Sequence, residues 1–287
     1  MAISPRQTIS KRREDSGKHC KPRTYRTLTC VLAALLAAPA FAHEFWIEPD
    51  TFRPLPDEVV PLTFFVGMAY QGEVLPRYAS RIVEFLHFEP GKEGKSVPGF
   101  EGSQRAGLVR THDPGLHLIA YQSTSTFVEL EPDKFKEYVL EEGLDSIVKA
   151  RLSRGESDKP GRELFARCPK TLLQVGNSGE TKDAMRVVGF PIELVPEANP
   201  YDLSPGDSLT IQVLSRGKPL ADALVVGFPS EDPDDTPQAR TDRDGRATLK
   251  LGYSGAWLIK TVLMERIDDD PRADWQSWWG SLTFELP

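Results

Sequence analysis

Between Val59 and Tyr121 no apolar stretch runs long: "VVPLTFFVGM", "RIVEFLHFEP", "AGLVRT" and "GLHLIAYQS" are short, partly alternating segments bounded by Gly, Pro or Asp. In an extended chain successive side chains point to opposite faces, so such segments separated by turn residues specify antiparallel strands in a sandwich or barrel. In "THDPGLHLIAY" a tight turn at Asp113-Pro114-Gly115 leads into a strand with His117, Ile119 and Tyr121 on one face. The pattern returns near the C-terminus. There "LSPGDSLTIQVLSRGKPLADALVVGF" reads as two strands joined at Arg216-Gly217-Lys218, "TDRDGRATLKL" adds a turn at Asp244-Gly245 and a third strand, and "GAWLIKTVLME" supplies another.

One segment breaks the rule. "EPDKFKEYVLEEGLDSIVKARLS" puts Phe135, Val139, Leu140 and Leu144 near helical spacing, with Gly143 placed to end a first helix before a second, so a short helical insertion is expected at about 131–152. The prolines of "FPIELVPEANP" set the expected boundary between an N-terminal sandwich over 43–198 and a C-terminal one over 199–287. The expected fold is therefore mainly β: two β-sandwich units with a helical insertion in the first. In the second, P-G-D, G-x-P-L-x-x-A-x-V, T-D-x-x-G and G-x-W resemble the small transthyretin-like or carboxypeptidase-regulatory-like sandwiches of exported proteins, modules that host many functions.

Residues 1–42 have another character. A basic stretch, a short apolar run from Val31 to Leu36 and the triplet Ala40-Phe41-Ala42 make the three-part layout of a secretory signal, with cleavage expected after Ala42. No later apolar run approaches the ~20 residues a membrane-spanning helix needs. Removal of the signal would take Cys20 and Cys30 and leave Cys168 alone, so no internal disulfide can form and the fold must rest on burial. Eight Lys/Arg and two Asp/Glu precede position 43, so the remainder holds 27 bases against 40 acids, a net charge of −13. Such a surface repels nucleic acid and anionic lipid and concentrates cations.

Cleavage there would expose "HEFWIEPDTF", whose first residue carries a free α-amine beside its imidazole. Amine and Nδ1 can close a chelate ring on one ion, and such nitrogens suit Ni, Co, Cu and Zn better than Mg or Ca. The order implied by Phe45, Trp46 and Ile47 would pin this chelate to the fold. His43 is thus the first candidate metal ligand. His112 and His117, flanking the Asp-Pro-Gly turn, are candidates to join it if paired strands bring their rings across from each other; Glu44 and Glu48 could complete the set. His87, between apolar neighbours, reads as a packed residue. Zinc and calcium motifs are absent, and Ser178 in "VGNSGE" only approaches a nucleophile elbow without its strand-turn-helix setting. A non-enzyme is therefore expected. Trp275, Trp278 and Trp279 read as core and inter-domain packing.

Several stretches together, "AHEFWIEP", "FVGMAYQGEVLPR", "FVELEPDKFKEYVLEEGLD", "RELFARCPKTLLQVG", "GKPLADALV", "GAWLIKTVLM" and "WQSWWGSLTFE", resemble the DUF4198 or NikM-like family, over Ala42 to Glu285. The resemblance implies a periplasmic protein that binds a transition-metal ion, assists Ni²⁺ or Co²⁺ uptake by a membrane transport system, and uses the histidine that is His43 here. Where some relatives have histidine this chain has Met68 and Leu263-Met264, which leaves the ion open between nickel, cobalt and copper. Two other readings remain: a copper oxygenase with an N-terminal histidine brace, and a purely structural envelope module. Arg162, Glu163, Arg167 and Lys170 match a charged family stretch and read as a strand edge pairing with the acidic insertion.

Overall fold

A computed structural model describes residues 43–176 and 185–287. The expected signal, Cys20, Cys30 and Ser178 lie outside the described residues. The first strands are β1 (Glu44–Pro49), β2 (Glu58–Met68), β3 (Gln71–Leu75), β4 (Ile82–Phe88), β5 (Lys95–Ser96), β6 (Arg105–Thr111), β7 (Gly115–Ser123) and β8 (Thr126–Leu130). Helices α1 (Pro132–Glu141) and α2 (Asp145–Ser153) follow, then the long strand β9 (Gly161–Val175). Beyond it come β10 (Ile192–Pro196), β11 (Ser208–Ser215), β12 (Lys218–Pro219), β13 (Leu224–Pro229), β14 (Gln238–Arg240), β15 (Arg246–Lys250), β16 (Gly255–Arg266) and β17 (Trp275–Leu286).

These strands make three sheets. Two are small: β1-β2-β3 with β6 also on β2, and β10-β11-β12 with β15 also on β11. The third has nine strands, in the order β14-β13-β16-β17-β9-β7-β4-β5, with β8 also on β9. Each small sheet faces one half of the long one, giving two sandwiches. They cover opposite faces of it. The Ser281 and Thr283 hydroxyls donate to the carbonyls of Phe45 and Ile47 in β1, whereas a side chain at the intervening parity, Gly280, would meet Leu194 and Ile192 of β10.

Both sandwiches and the helical insertion form as the sequence predicts, but the 198/199 boundary does not separate their sheets. β17 pairs in parallel with β9 from Trp275↔Glu163 to Thr283↔Thr171, joining the halves through backbone hydrogen bonds. The described residues accordingly form one compact unit. Trp46, on the outer face of β1, packs with Val226, Phe228 and Leu258 of the second half. A parallel pairing needs no local turn, so sequence spacing carries no sign of it.

The insertion docks through Phe135, Tyr138, Val139 and Ile147 onto a layer that includes Trp275 and Trp279. Tyr138 stacks on Trp279 with ring centroids 5.7 Å apart. Close approach of α1 requires Gly161 at the start of β9, since a Cβ there would lie 2.1 Å from the Phe135 ring. Trp275 and Trp279 are core residues, while Trp278 is half-buried with the Arg216 guanidinium over its ring. At the Arg216-Gly217 turn both residues have positive φ, 48° and 73°, as a two-residue hairpin loop demands.

Candidate functional site

His43 stands half-buried immediately before β1, which is held on both sides. One edge pairs with β2 from Glu44↔Gly67 to Pro49↔Leu62. Toward the long sheet, Phe45 and Ile47 enter the main core, Phe45 against Phe64 and Tyr121. On the other face Trp46 is 1% exposed. Glu44, the first carboxylate after the histidine, lies in a buried cluster where Lys260 Nζ reaches Glu44 Oε1 at 2.9 Å and Glu142 Oε1 at 2.7 Å. Burial opposes the charge on Lys260, but the two carboxylates outweigh it and hold the ammonium above its ordinary pKa. Burial raises the pKa of Glu142, with Lys260 opposing. Glu48 accepts a hydrogen bond from Trp46 Nε1 at 3.0 Å. Both carboxylates expected to help His43 are thus engaged in fixing β1.

The other expected ligands are elsewhere. Thr111, the neighbour of His112, pairs with Glu58 at the opposite end of β2 from Gly67, the partner of Glu44. Nine residue steps along a strand span roughly 30 Å, too far for one ion to be shared. Nor do His112 and His117 face each other: β6 belongs to a small sheet and β7 to the long one, so the Asp-Pro-Gly turn crosses between layers. His112 is exposed, its Nδ1 2.9 Å from Asp57 Oδ1. His117 is fully buried and its partner is His87, with His87 Nε2 to His117 Nδ1 at 2.9 Å and the rings 5.1 Å apart.

The tautomers follow from the partners. A carbonyl oxygen only accepts, so His117 Nε2, 2.7 Å from the Asp113 carbonyl, carries its proton. His117 Nδ1 then accepts from His87 Nε2–H, which leaves the His87 Nδ1 lone pair unprotonated. Burial, reinforced by the neighbouring His117, pushes the pKa of His87 down to about 4. Burial likewise lowers that of His117, against the pull of the Asp113 carbonyl. The pair is neutral at physiological pH. No group of three His, Cys, Asp or Glu among the described residues is arranged to hold a metal ion. The sequence reading of His87 as packed agrees with its burial, but its partnership with His117 is set by the β4–β7 register, His87↔Ile119, and has no local signature.

The charged stretch of β9 is central in the long sheet, not an edge, and its side chains alternate between faces. Lys170 is buried and bonded to Glu193 at 2.5 Å, and the same carboxylate accepts from the amides of Val188, Gly189 and Phe190. Arg162 forks onto Asp274. Only Glu163 meets the helical insertion, accepting from Tyr138 Oη at 3.0 Å and from the Ser277 hydroxyl. Burial pushes Glu163 up to about 7. Among the described residues Arg167 has no carboxylate partner; its guanidinium carbon lies over the rings of Phe45 and Phe165, 4.7 and 5.4 Å from their centroids.

Residues 40–265 match the family model described as a domain of unknown function, DUF4198. No curated protein matches. Among solved structures, the D0-D1 domain of intimin is similar at 12% identity and a TM-score of 0.23, covering 83% of this chain and 96% of that one. A tetra-tandem repeat from the extending region of a large adhesion protein is similar at 8% identity and the same TM-score, 0.23, covering 85% and 49%. Superpositions this loose transfer neither fold nor role.

Proposed function

The chain belongs to the DUF4198 family, and from that premise we propose that it is an exported protein which binds a divalent transition ion at His43 and presents it to an uptake system. Nickel and cobalt are the favoured ions, with copper next, because amine and imidazole nitrogens select late first-row metals. The observation that supports this reading is the anchoring of β1: Phe45, Trp46 and Ile47 are 4, 1 and 0% exposed, so a chain beginning at His43 would present its amine and imidazole from a fixed point. His112 and His117 have no part in such a centre. With protein ligands drawn from a single residue, the ion would keep exchangeable positions, as suits delivery rather than storage. The three remaining histidines of the described chain all lie away from His43, so a two-histidine brace for copper oxygenation is not favoured.

The test uses protein exported through its own leader. Native mass spectrometry reports the first residue and any bound ion, and calorimetry with Ni²⁺, Co²⁺ and Cu²⁺ reports affinity. One equivalent bound, weakened by a single residue added before His43 and by His43→Ala, is the expected result. Equal affinity with and without the extension would remove His43 from the site.

A further inference from the structure

The sandwich formed by the first small sheet and the long sheet does not close at one end. A cavity of about 300 Å³ opens between Phe45, Phe64 and Leu75 on one side and Tyr121, Phe165 and Arg167 on the other. That volume is at the lower end of those that hold small organic ligands. Its walls are largely apolar. Its charged lining groups are both cations: Arg167 on the floor and Arg81 nearer the surface, with no carboxylate among the lining residues.

Several polar groups of the lining are hydrogen-bonded to one another or to backbone, whereas among the described residues the guanidinium of Arg167 is not. The Ser123 hydroxyl accepts from the Arg167 amide at 2.9 Å and donates to the Thr124 carbonyl. Tyr121 Oη donates to the Arg81 carbonyl, and Arg81 Nη1 donates to Thr126 at 2.8 Å. Arg77, close by, spends one donor on the Ala106 carbonyl. No ion pair involves Arg77, Arg81 or Arg167 among the described residues, and no side-chain hydrogen bond of Arg167 occurs there. A buried or half-buried charge is ordinarily paired, because removal from water is repaid only by a partner. Here Arg77 and Arg167 are half-buried beside Tyr121 without one among the described residues, with the exposed Arg81 next to them, in a chain with 40 acids after position 42 to choose from. The contacts of Arg167 with Phe45 and Phe165 engage the guanidinium plane and leave its N–H fork free, the geometry that takes a carboxylate through two parallel hydrogen bonds.

We propose that this cavity is a binding site for a small organic carboxylate with an apolar body, its carboxylate held by Arg167 and Arg81 and its body lying among Phe45, Phe64, Leu75 and Phe165. Burial lowers the Arg167 pKa to about 10, which still leaves it charged at neutral pH. Neither His43 nor a metal takes part in this site.

The test is calorimetry and thermal melting of the whole exported protein with benzoate, its neutral isostere benzamide, and inorganic phosphate. Benzoate is expected to bind saturably at one equivalent and raise the melting temperature. Benzamide should bind about tenfold or more weakly, a loss of roughly 1.4 kcal/mol, and phosphate should not compete. Arg167→Met should abolish benzoate binding while leaving the ligand-free protein melting no lower than wild type, since it deletes an unpaired charge. Arg81→Gln, at an exposed position, should weaken binding with the fold intact, and it carries the test if the Met variant misfolds. Absence of saturable benzoate binding, equal binding of benzamide, or benzoate binding that survives both substitutions would overturn the proposal. Phosphate binding as strongly as benzoate, with the same dependence on Arg167, would also overturn it in favour of an inorganic-anion site.

Discussion

Glu163→Gln should change how stability responds to pH, and the size of the change follows from where the carboxyl sits. Glu163 is 2% exposed beneath the helical insertion, and its carboxyl accepts from Tyr138 and Ser277. Burial raises its pKa from the ordinary 4.5 to about 7, because nothing cationic is at hand and Glu142 adds repulsion. A carboxyl whose pKa is raised on folding binds its proton more tightly in the native state. Its contribution is therefore fully present below pH 4.5 and is lost as pH rises through 7. A tenfold difference in proton affinity between folded and unfolded chain corresponds to about 1.36 kcal/mol, so from pH 5 to pH 7.5 the native state should lose about 2 to 3 kcal/mol through this group. Glutamine keeps a neutral hydrogen-bonding shape and cannot ionise. Urea unfolding of wild type and variant at both pH values isolates the effect: the stability difference, variant minus wild type, should grow by that amount on going to pH 7.5. Parallel profiles for the two proteins would show that Glu163 is solvated or paired, and the reasoning would fail.

The buried histidine pair acts in the opposite sense. His87, held near pKa 4, should show an imidazole NMR signal that stays neutral down to about pH 5, and its contribution to stability should be lost as pH falls from 6.5 through 4; an ordinary titration near 6.5 would contradict the structure. Lys170→Met leaves Glu193 buried without its 2.5 Å partner and should lower unfolding free energy by about 3 to 5 kcal/mol, with Glu193→Gln added to it restoring part of the loss in denaturant titrations. Gly161→Ala places a methyl 2.1 Å from the Phe135 ring, an overpacking that should cost about 1 to 3 kcal/mol or more and alter the near-ultraviolet circular dichroism of the Tyr138–Trp279 stack. Unchanged melting and spectrum would mean that α1 shifts freely over β9.

Much of the architecture was legible because it is local. The helices at 132–153 follow from the spacing of Phe135 and Val139 and from Gly143, and the hairpin at Arg216-Gly217 from the turn-forming Gly217. The facing of His117, Ile119 and Tyr121 follows from alternation, and Tyr121 does meet the ring of Phe64, as a core residue would. The site was less legible. Nothing near His112 or His117 in the chain says that their turn crosses between sheets, so a pairing reasonable on spacing is replaced by His87–His117 and His112–Asp57. The same holds for Arg162, Glu163, Arg167 and Lys170, which one strand sends to two faces and four environments.

By itself, then, the sequence determined what depends on neighbours along the chain: the strands, the helical break, the turns, and a first candidate ligand at His43 followed by a strand too apolar to stay in water. The parallel seam between β9 and β17, the distance that separates His43 from His112, and the arginines around Tyr121 that meet no carboxylate among the described residues were decided only by tertiary structure. These depend on which distant segments share an interface, and burial free energy is non-directional: an apolar alternation says that a face must be covered and is silent about what covers it.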